Sequence, residues 1–238
     1  MFQQNNSVGM GSTTAVNEGL RAHMVRVYNY MTGGLLITAI MAFIFSQPPF
    51  ANMLFSPTGG MTGFGMLVSF SPLLMIFGFG WVLKRGSLAQ VQGTFWGFAA
   101  LMGMSLSYIF LAYTGASITR VFLITSAMFG GMSIYGYTTK KDLTNMGSFL
   151  IMALIGVIVA SIVNIFLRSS GMEFILSLLS VLIFTGLTAY DTQKIAQMYQ
   201  YAGNHDSATR IAVSGALSLY MDFINMFIHL LRFFGDRR

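Results

Sequence analysis

The sequence predicts an all-α integral membrane protein: a seven-transmembrane helix bundle with the last helix central. Three observations carry this. Of 238 residues, 55% are hydrophobic and only 8% charged, against about 45–50% and 25% in soluble domains, so too little charge remains to cover a soluble surface. The apolar residues, which raise the mean hydropathy to +0.68, gather in runs close to the roughly 20 residues that a bilayer requires. The last of these runs alone carries a stripe of polar side chains, as a helix surrounded by other helices would.

Residues 1–20 are rich in Asn, Gln, Ser, Gly and Thr and contain no apolar signal core, so they read as a polar N-terminal tail rather than a cleavable signal peptide. Residues 21–238 read as a single membrane domain. Its spans fall at Val27 to Phe45, Met61 to Leu83, Phe95 to Tyr113, Val121 to Tyr137, Met146 to Phe166, Met172 to Tyr190 and Ile211 to Phe234. If all cross, Arg21 and Arg26 share a side with Lys84, Arg85, Lys140, Lys141, Lys194 and Arg210, and the positive-inside rule puts the N-terminus in the cytoplasm. Arg232, Arg237 and Arg238 then fall outside. A re-entrant last helix would return them, but the run is long enough to span. Glycines recur within the spans, with Gly93 and Gly97 four apart and Gly130, Gly131 and Gly136 clustered, a pattern that lets helices approach closely in lipid.

Several function classes are excluded. The net charge of +6 comes from residues at helix ends, where they orient spans, so no nucleic-acid partner is expected. The lack of cysteine removes thiolate metal sites, a cysteine nucleophile and disulfides. His23, His205 and His229 lack metal-ligand spacing, so neither zinc nor haem is expected and no cofactor is implied. No P-loop, GxSxG or HExxH is present. The partners that remain are the lipid bilayer and what crosses it.

Acidic residues are few; Glu173 sits at a span edge, and Asp191 and Asp222 stand apart from the rest. Asp222 sits deep in the last run, where a charge costs roughly 2.5–3.5 kcal/mol on insertion scales and must face the protein interior. Ser214, Ser218, Asp222, Asn225, His229 and Arg232 follow at steps of four, four, three, four and three, one face of a helix. Asp191 follows Thr185 and Thr188. If its helix runs on to about Gln200, Asp191 lies roughly 14 Å from the cytoplasmic end, and Asp222 lies roughly 16 Å in from Ile211. Two carboxylates at similar depth in a poorly solvated place cannot both ionise cheaply and titrate as one coupled unit, a natural pH sensor. Carboxylate oxygens suit a hard cation such as Ca²⁺, and two of them bind weakly enough to let a permeating ion leave.

Two segments carry a resemblance. Met132-Ser133-Ile134-Tyr135-Gly136-Tyr137-Thr138-Thr139-Lys140-Lys141-Asp142-Leu143, and Ala216 to Asn225 with its continuation Leu230-Leu231-Arg232-Phe233-Phe234-Gly235, resemble the transmembrane Bax inhibitor motif family. The likeness runs from Arg21 to the C-terminus, and the short N-terminal tail looks like that of a bacterial member of the inner membrane. It implies a pH-sensitive calcium leak channel whose sensor and gate, and transient Ca²⁺ ligands, are Asp191 and Asp222, with Ser214, Ser218, Asn225 and His229 lining the route. The family pattern also has an arginine latch to the first aspartate near the end of the second span. Here an ungapped comparison through Trp81 places Leu83 at that position, leaving Lys84 or Arg85 as the candidate latch beside the ordinary role of positive-inside anchors.

Two other classes compete. A non-conducting regulator that binds a membrane protease or other quality-control machinery is also represented in the family. An intramembrane aspartyl protease would use a shared proton for acid and base catalysis. The run Leu219-Tyr220-Met221-Asp222 lacks the glycines of such proteases, so the chain is not expected to be an enzyme.

Overall fold

The computed structural model describes residues 7–56 and 60–238, with side chains from Glu18 onward. Within a bilayer the backbone must satisfy its own polar groups, and the described chain does so almost entirely with helices: α1 Ser7–Phe45, α2 Phe50–Leu54, α3 Gly63–Arg85, α4 Leu88–Ser105, α5 Tyr108–Ala112, α6 Gly115–Thr138, α7 Thr144–Leu167, α8 Ser170–Tyr199 and α9 His205–Phe234. Seven segments are long and apolar enough to cross a membrane, with α4 and α5 counting together as the third. The first six residues of the expected polar tail lie outside the described residues.

The helices outrun the apolar stretches that mark them, because hydropathy reports the bilayer-crossing part and backbone hydrogen bonding continues through polar turns. Caps set the real ends. Ser87 and Gln90 form a reciprocal capping box at the start of α4. The Asn204 side chain accepts a 2.8 Å hydrogen bond from the Ser207 amide, starting α9 six residues before the apolar run. The third span differs from a single run, since α4 ends at Ser105 and the chain re-enters helix at Tyr108 after a tight turn around Leu106 and Ser107.

The last helix is central: 67% of the apolar window of α9 is buried, against none of that of α7. It packs against α8, α1, α6 and α4, whereas α7 packs chiefly on α8 and α3 on α4. The outer faces of α3 and α7 keep large apolar side chains such as Phe77 and Phe166 exposed, as a lipid-facing surface requires. The α9 core is aromatic and polar together. Tyr220 is fully buried with Phe95 and Phe98 edge-on to its ring. Its hydroxyl meets Thr38 Oγ1 at 2.7 Å, and Thr38 also donates to the Ala99 carbonyl at 2.8 Å.

The two ends of α9 touch opposite ends of the bundle, so the last span is a full crossing and not a re-entrant loop. Near its start, Arg210 donates to the carbonyls of Leu83 and Gly86 at the close of α3. At its end, Arg120 near the start of α6 donates to the Phe234 carbonyl at 2.9 Å and pairs with Asp236 at 3.0 Å. The C-terminal Arg238 amide then reaches the Ala112 carbonyl.

The glycines correct one expectation. Gly93, Gly130 and Gly131 have open space around them, and Gly97 meets only a methionine methyl at ordinary contact distance. Gly136 of the expected set does make a close approach, since any side chain there would strike the Ala189 carbonyl, and Gly147, outside that set, makes another, against the Tyr190 ring. α6 and α7 are thus seated on α8 immediately before Asp191.

Candidate functional site

The site is built on the α8–α9 pair. A side chain at Gly215 would strike Ile195, and Thr185 Oγ1 lies 3.9 Å from Met226 Sδ. These contacts set an antiparallel register in which Asp222 is level with Thr188 and Ala189, and Asp191 with Leu219 and Tyr220. At 1.5 Å rise per residue the two aspartates are offset by about 4 Å along the axes, less than one turn.

Asp222 is only 4% exposed, and its Oδ2 has no hydrogen-bond partner. The reason lies in its neighbour helix. Ser180, Thr185, Thr188 and Thr192 face inward from α8, but each hydroxyl donates to the carbonyl four residues back, at 2.6 to 2.8 Å, and is spent on its own backbone. Asn225 likewise donates to the Met221 carbonyl at 2.8 Å. A buried carboxyl oxygen without a donor is a costly feature that packing alone does not explain.

Asp191, half-buried, shares a cavity of about 730 Å³ with Asp222, Ser218, Asn225 and His229. His229 Nδ1 is also buried without a partner. Of the polar stripe, Ser214 does not line this cavity. Arg232 lines smaller pockets at the far end of α9, with Glu173 and Arg237. The remaining cavity wall is mostly apolar, from Ile76 of α3 and Leu154, Ile158 and Ile162 of α7 among others, with Ser161, Ser180, Tyr190 and Lys194 interspersed. Asp191 and Asp222 interact electrostatically, as like charges do when ionised, and Lys194 opposes this from one turn beyond Asp191. Among the described residues neither carboxylate forms an ion pair, and no three His, Asp or Glu side chains converge as a metal-holding group.

The sequence profile of the family described as inhibitor of apoptosis-promoting Bax1 matches residues 20–238. The chain belongs to this Bax inhibitor-1-like family. It is 47% identical over 232 residues to uncharacterized protein RP147 of Rickettsia prowazekii, covering 95% of this chain and 96% of the relative. It is 43% identical over 230 residues to an uncharacterized protein of Caulobacter vibrioides, covering 94% and 92%. With inner membrane protein YbhL of Escherichia coli it shares 40% over 223 residues, covering 92% and 94%. The Bax inhibitor-1-like match takes in every helix that lines the cavity.

In this Bax inhibitor-1-like chain the latch candidates Lys84 and Arg85 are exposed at the last turn of α3, and neither lines the cavity. The basic side chain that does is Lys194, whose Nζ lies 5.6 Å from the centre of the Tyr190 ring. Sequence reading counted Lys194 only as a loop charge. Its position three residues after Asp191 on one helix face was the available signal.

Proposed function

We propose that this Bax inhibitor-1-like protein is a pH-sensitive cation leak channel of a bacterial inner membrane, with its N-terminus in the cytoplasm, Ca²⁺ as the permeant ion and Asp191 with Asp222 as the gate. The observation that supports it most is the shared cavity: two aspartates without ion-pair partners among the described residues, less than a turn apart along the helix axes, continuous with Ser218, Asn225 and His229 along the central helix. When the pair shares a proton it carries one negative charge and holds the two helices together. When the proton leaves, two like charges in a poorly solvated site repel and admit a cation between them. Nothing in this needs a cofactor, and the chain acts as a conduit rather than an enzyme. Membership of the same family as YbhL, named an inner membrane protein, supports the location, and the excess of Lys and Arg on the N-terminal side supports the orientation.

The test is Ca²⁺ entry into liposomes loaded with an indicator, recorded across pH 5 to 8 for wild type, Asp191→Asn and Asp222→Asn. The expected result is pH-dependent entry by wild type that either asparagine flattens. A protein that conducts at no pH would end the channel reading and put a non-conducting regulator of membrane proteases in its place.

A further inference from the structure

The cavity that holds the aspartates is far larger than a single ion needs, and one side of it is largely apolar. At about 730 Å³ it falls within the roughly 300–1,000 Å³ typical of sites for organic ligands. Its charged groups belong to α8 and α9, while the α7 wall is made of branched apolar side chains except for Ser161. A hydrated cation gains nothing from such a wall, and an apolar chain does.

That wall is also open to the bilayer. Ile151, Ile158 and Ile162 line the cavity and yet remain 43%, 51% and 52% exposed. A molecule dissolved among lipid tails could therefore slide in past α7 without crossing water. At the inner end it would meet the Asp222 carboxyl, whose buried Oδ2 has no partner among the described residues, together with Asp191. The titratable groups facing this space are two carboxyls, the Lys194 ammonium, the Tyr190 phenol and the His229 ring, whose Nδ1 is unpartnered as well among the described residues.

We propose that this cleft is a binding site for an amphiphilic cation, a primary or secondary ammonium on an apolar chain, which enters from the lipid, seats its chain along α7 and donates to Asp222. Charge selects the head group: an ammonium supplies the donors that Asp222 Oδ2 lacks, whereas an anion would meet two carboxyls. Hydroxyl head groups supply one donor and no charge, so a fatty alcohol of the same length binds less tightly. Lys194 stands in the same cleft as a tethered ammonium and competes with the ligand's head group. The proposal goes beyond the leak reading and does not depend on it, because occupancy is measured without any flux.

The experiment uses the full chain in lipid nanodiscs with a ten-carbon primary amine carrying a diazirine in its tail, compared with the alcohol bearing the same tail. After illumination, labelled residues are mapped by mass spectrometry. The expected result is saturable amine labelling within α7 residues 151–165, displaced by excess decylamine. Labelling should fall at least five-fold in Asp222→Asn and rise in Lys194→Met. Ile158→Trp, which fills the cleft while keeping both carboxyls, should block it as well, and serves if Asp222→Asn fails to fold. Equal labelling by amine and alcohol, or labelling unchanged by Ile158→Trp, would overturn the proposal.

Discussion

Asp191 and Asp222 reach the same cavity from antiparallel helices, with register contacts placing them less than one turn apart, and among the described residues neither has an ion-pair partner. On the proposed gate these carboxyls share a proton, and groups that do so act as a unit whose effects do not add. Each single asparagine should therefore remove most of the pH dependence of Ca²⁺ flux, and Asp191→Asn/Asp222→Asn together should remove little more. Additive losses in the double variant would mean that the carboxyls titrate independently.

Lys194 separates the latch positions expected from sequence from the charge that faces the site. Lys194→Met should change flux and its pH dependence, because it removes the ammonium acting on Asp191. Lys84→Met and Arg85→Met, at exposed ends of α3 away from the cavity, should leave the pH dependence as it was. If Arg85→Met alone shifted the profile, a long side chain bending inward would be the latch after all.

The span count, the central last helix and the polar stripe were all legible, because each follows from the cost of exposing a polar group to lipid. That cost leaves its mark directly on residue order: Asp222 could only face inward, and Ser218, Asn225 and His229 follow it at helical spacing. Of the two glycine seats Gly136 was legible, but Gly147 and the place of Lys194 were not. A glycine pair at four-residue spacing does not say which helix lies opposite, so Gly93 and Gly97 looked like contact points while Gly147 was passed over. Lys194 reads from sequence as one of several positive-inside charges, and only the packing of α8 places it in the cavity with Asp191. The break between α4 and α5 was hidden for a related reason, since an apolar run scores alike whether or not a turn interrupts it.

The seats at Gly136 and Gly147 predict an asymmetry among glycines. Gly136→Leu and Gly147→Leu force α6 or α7 off α8 and should destabilise by about 1–3 kcal/mol or more, as overpacking does. Gly130→Ala and Gly131→Ala, facing open space in mid-helix, should be neutral or stabilise by about 0.5–1 kcal/mol. Thermal unfolding in detergent distinguishes the two sets. Because the tight pair lies beside Asp191, flux should change in the first set and not in the second.

Tyr220 and Thr38 join the central helix to α1 through one buried hydroxyl contact, and the two ends of that contact are unequal. Tyr220→Phe leaves Thr38 still donating to the Ala99 carbonyl, so the cost is that of one hydrogen bond, about 0.5–1.5 kcal/mol. Thr38→Val orphans the Tyr220 hydroxyl in a fully buried place and should cost more, about 1–3 kcal/mol. Equal losses would indicate that the tyrosine hydroxyl finds another partner when Thr38 is gone.

Asp142 gives a pH dependence outside the spans that can be separated from the gate. It accepts from the Thr144 hydroxyl at 2.6 Å and from the Thr144 amide at 2.9 Å, shaping the turn into α7. These bonds, the hydroxyl's first, favour the ionised carboxylate and hold its pKa below the usual range. The folded state thus prefers the charged form. Its contribution to stability is complete above the unfolded carboxyl value, near pH 4 or about 3.9 in model peptides, and is lost as pH falls through the lower folded value. Asp142→Ala should therefore unfold at a lower temperature than wild type at pH 7, with the gap narrowing on acidification below pH 4. The carboxyl is exposed, so the gap should be small and shrink further in salt. A gap that instead grew in acid would mean that the protonated carboxyl, not the carboxylate, is what holds the turn.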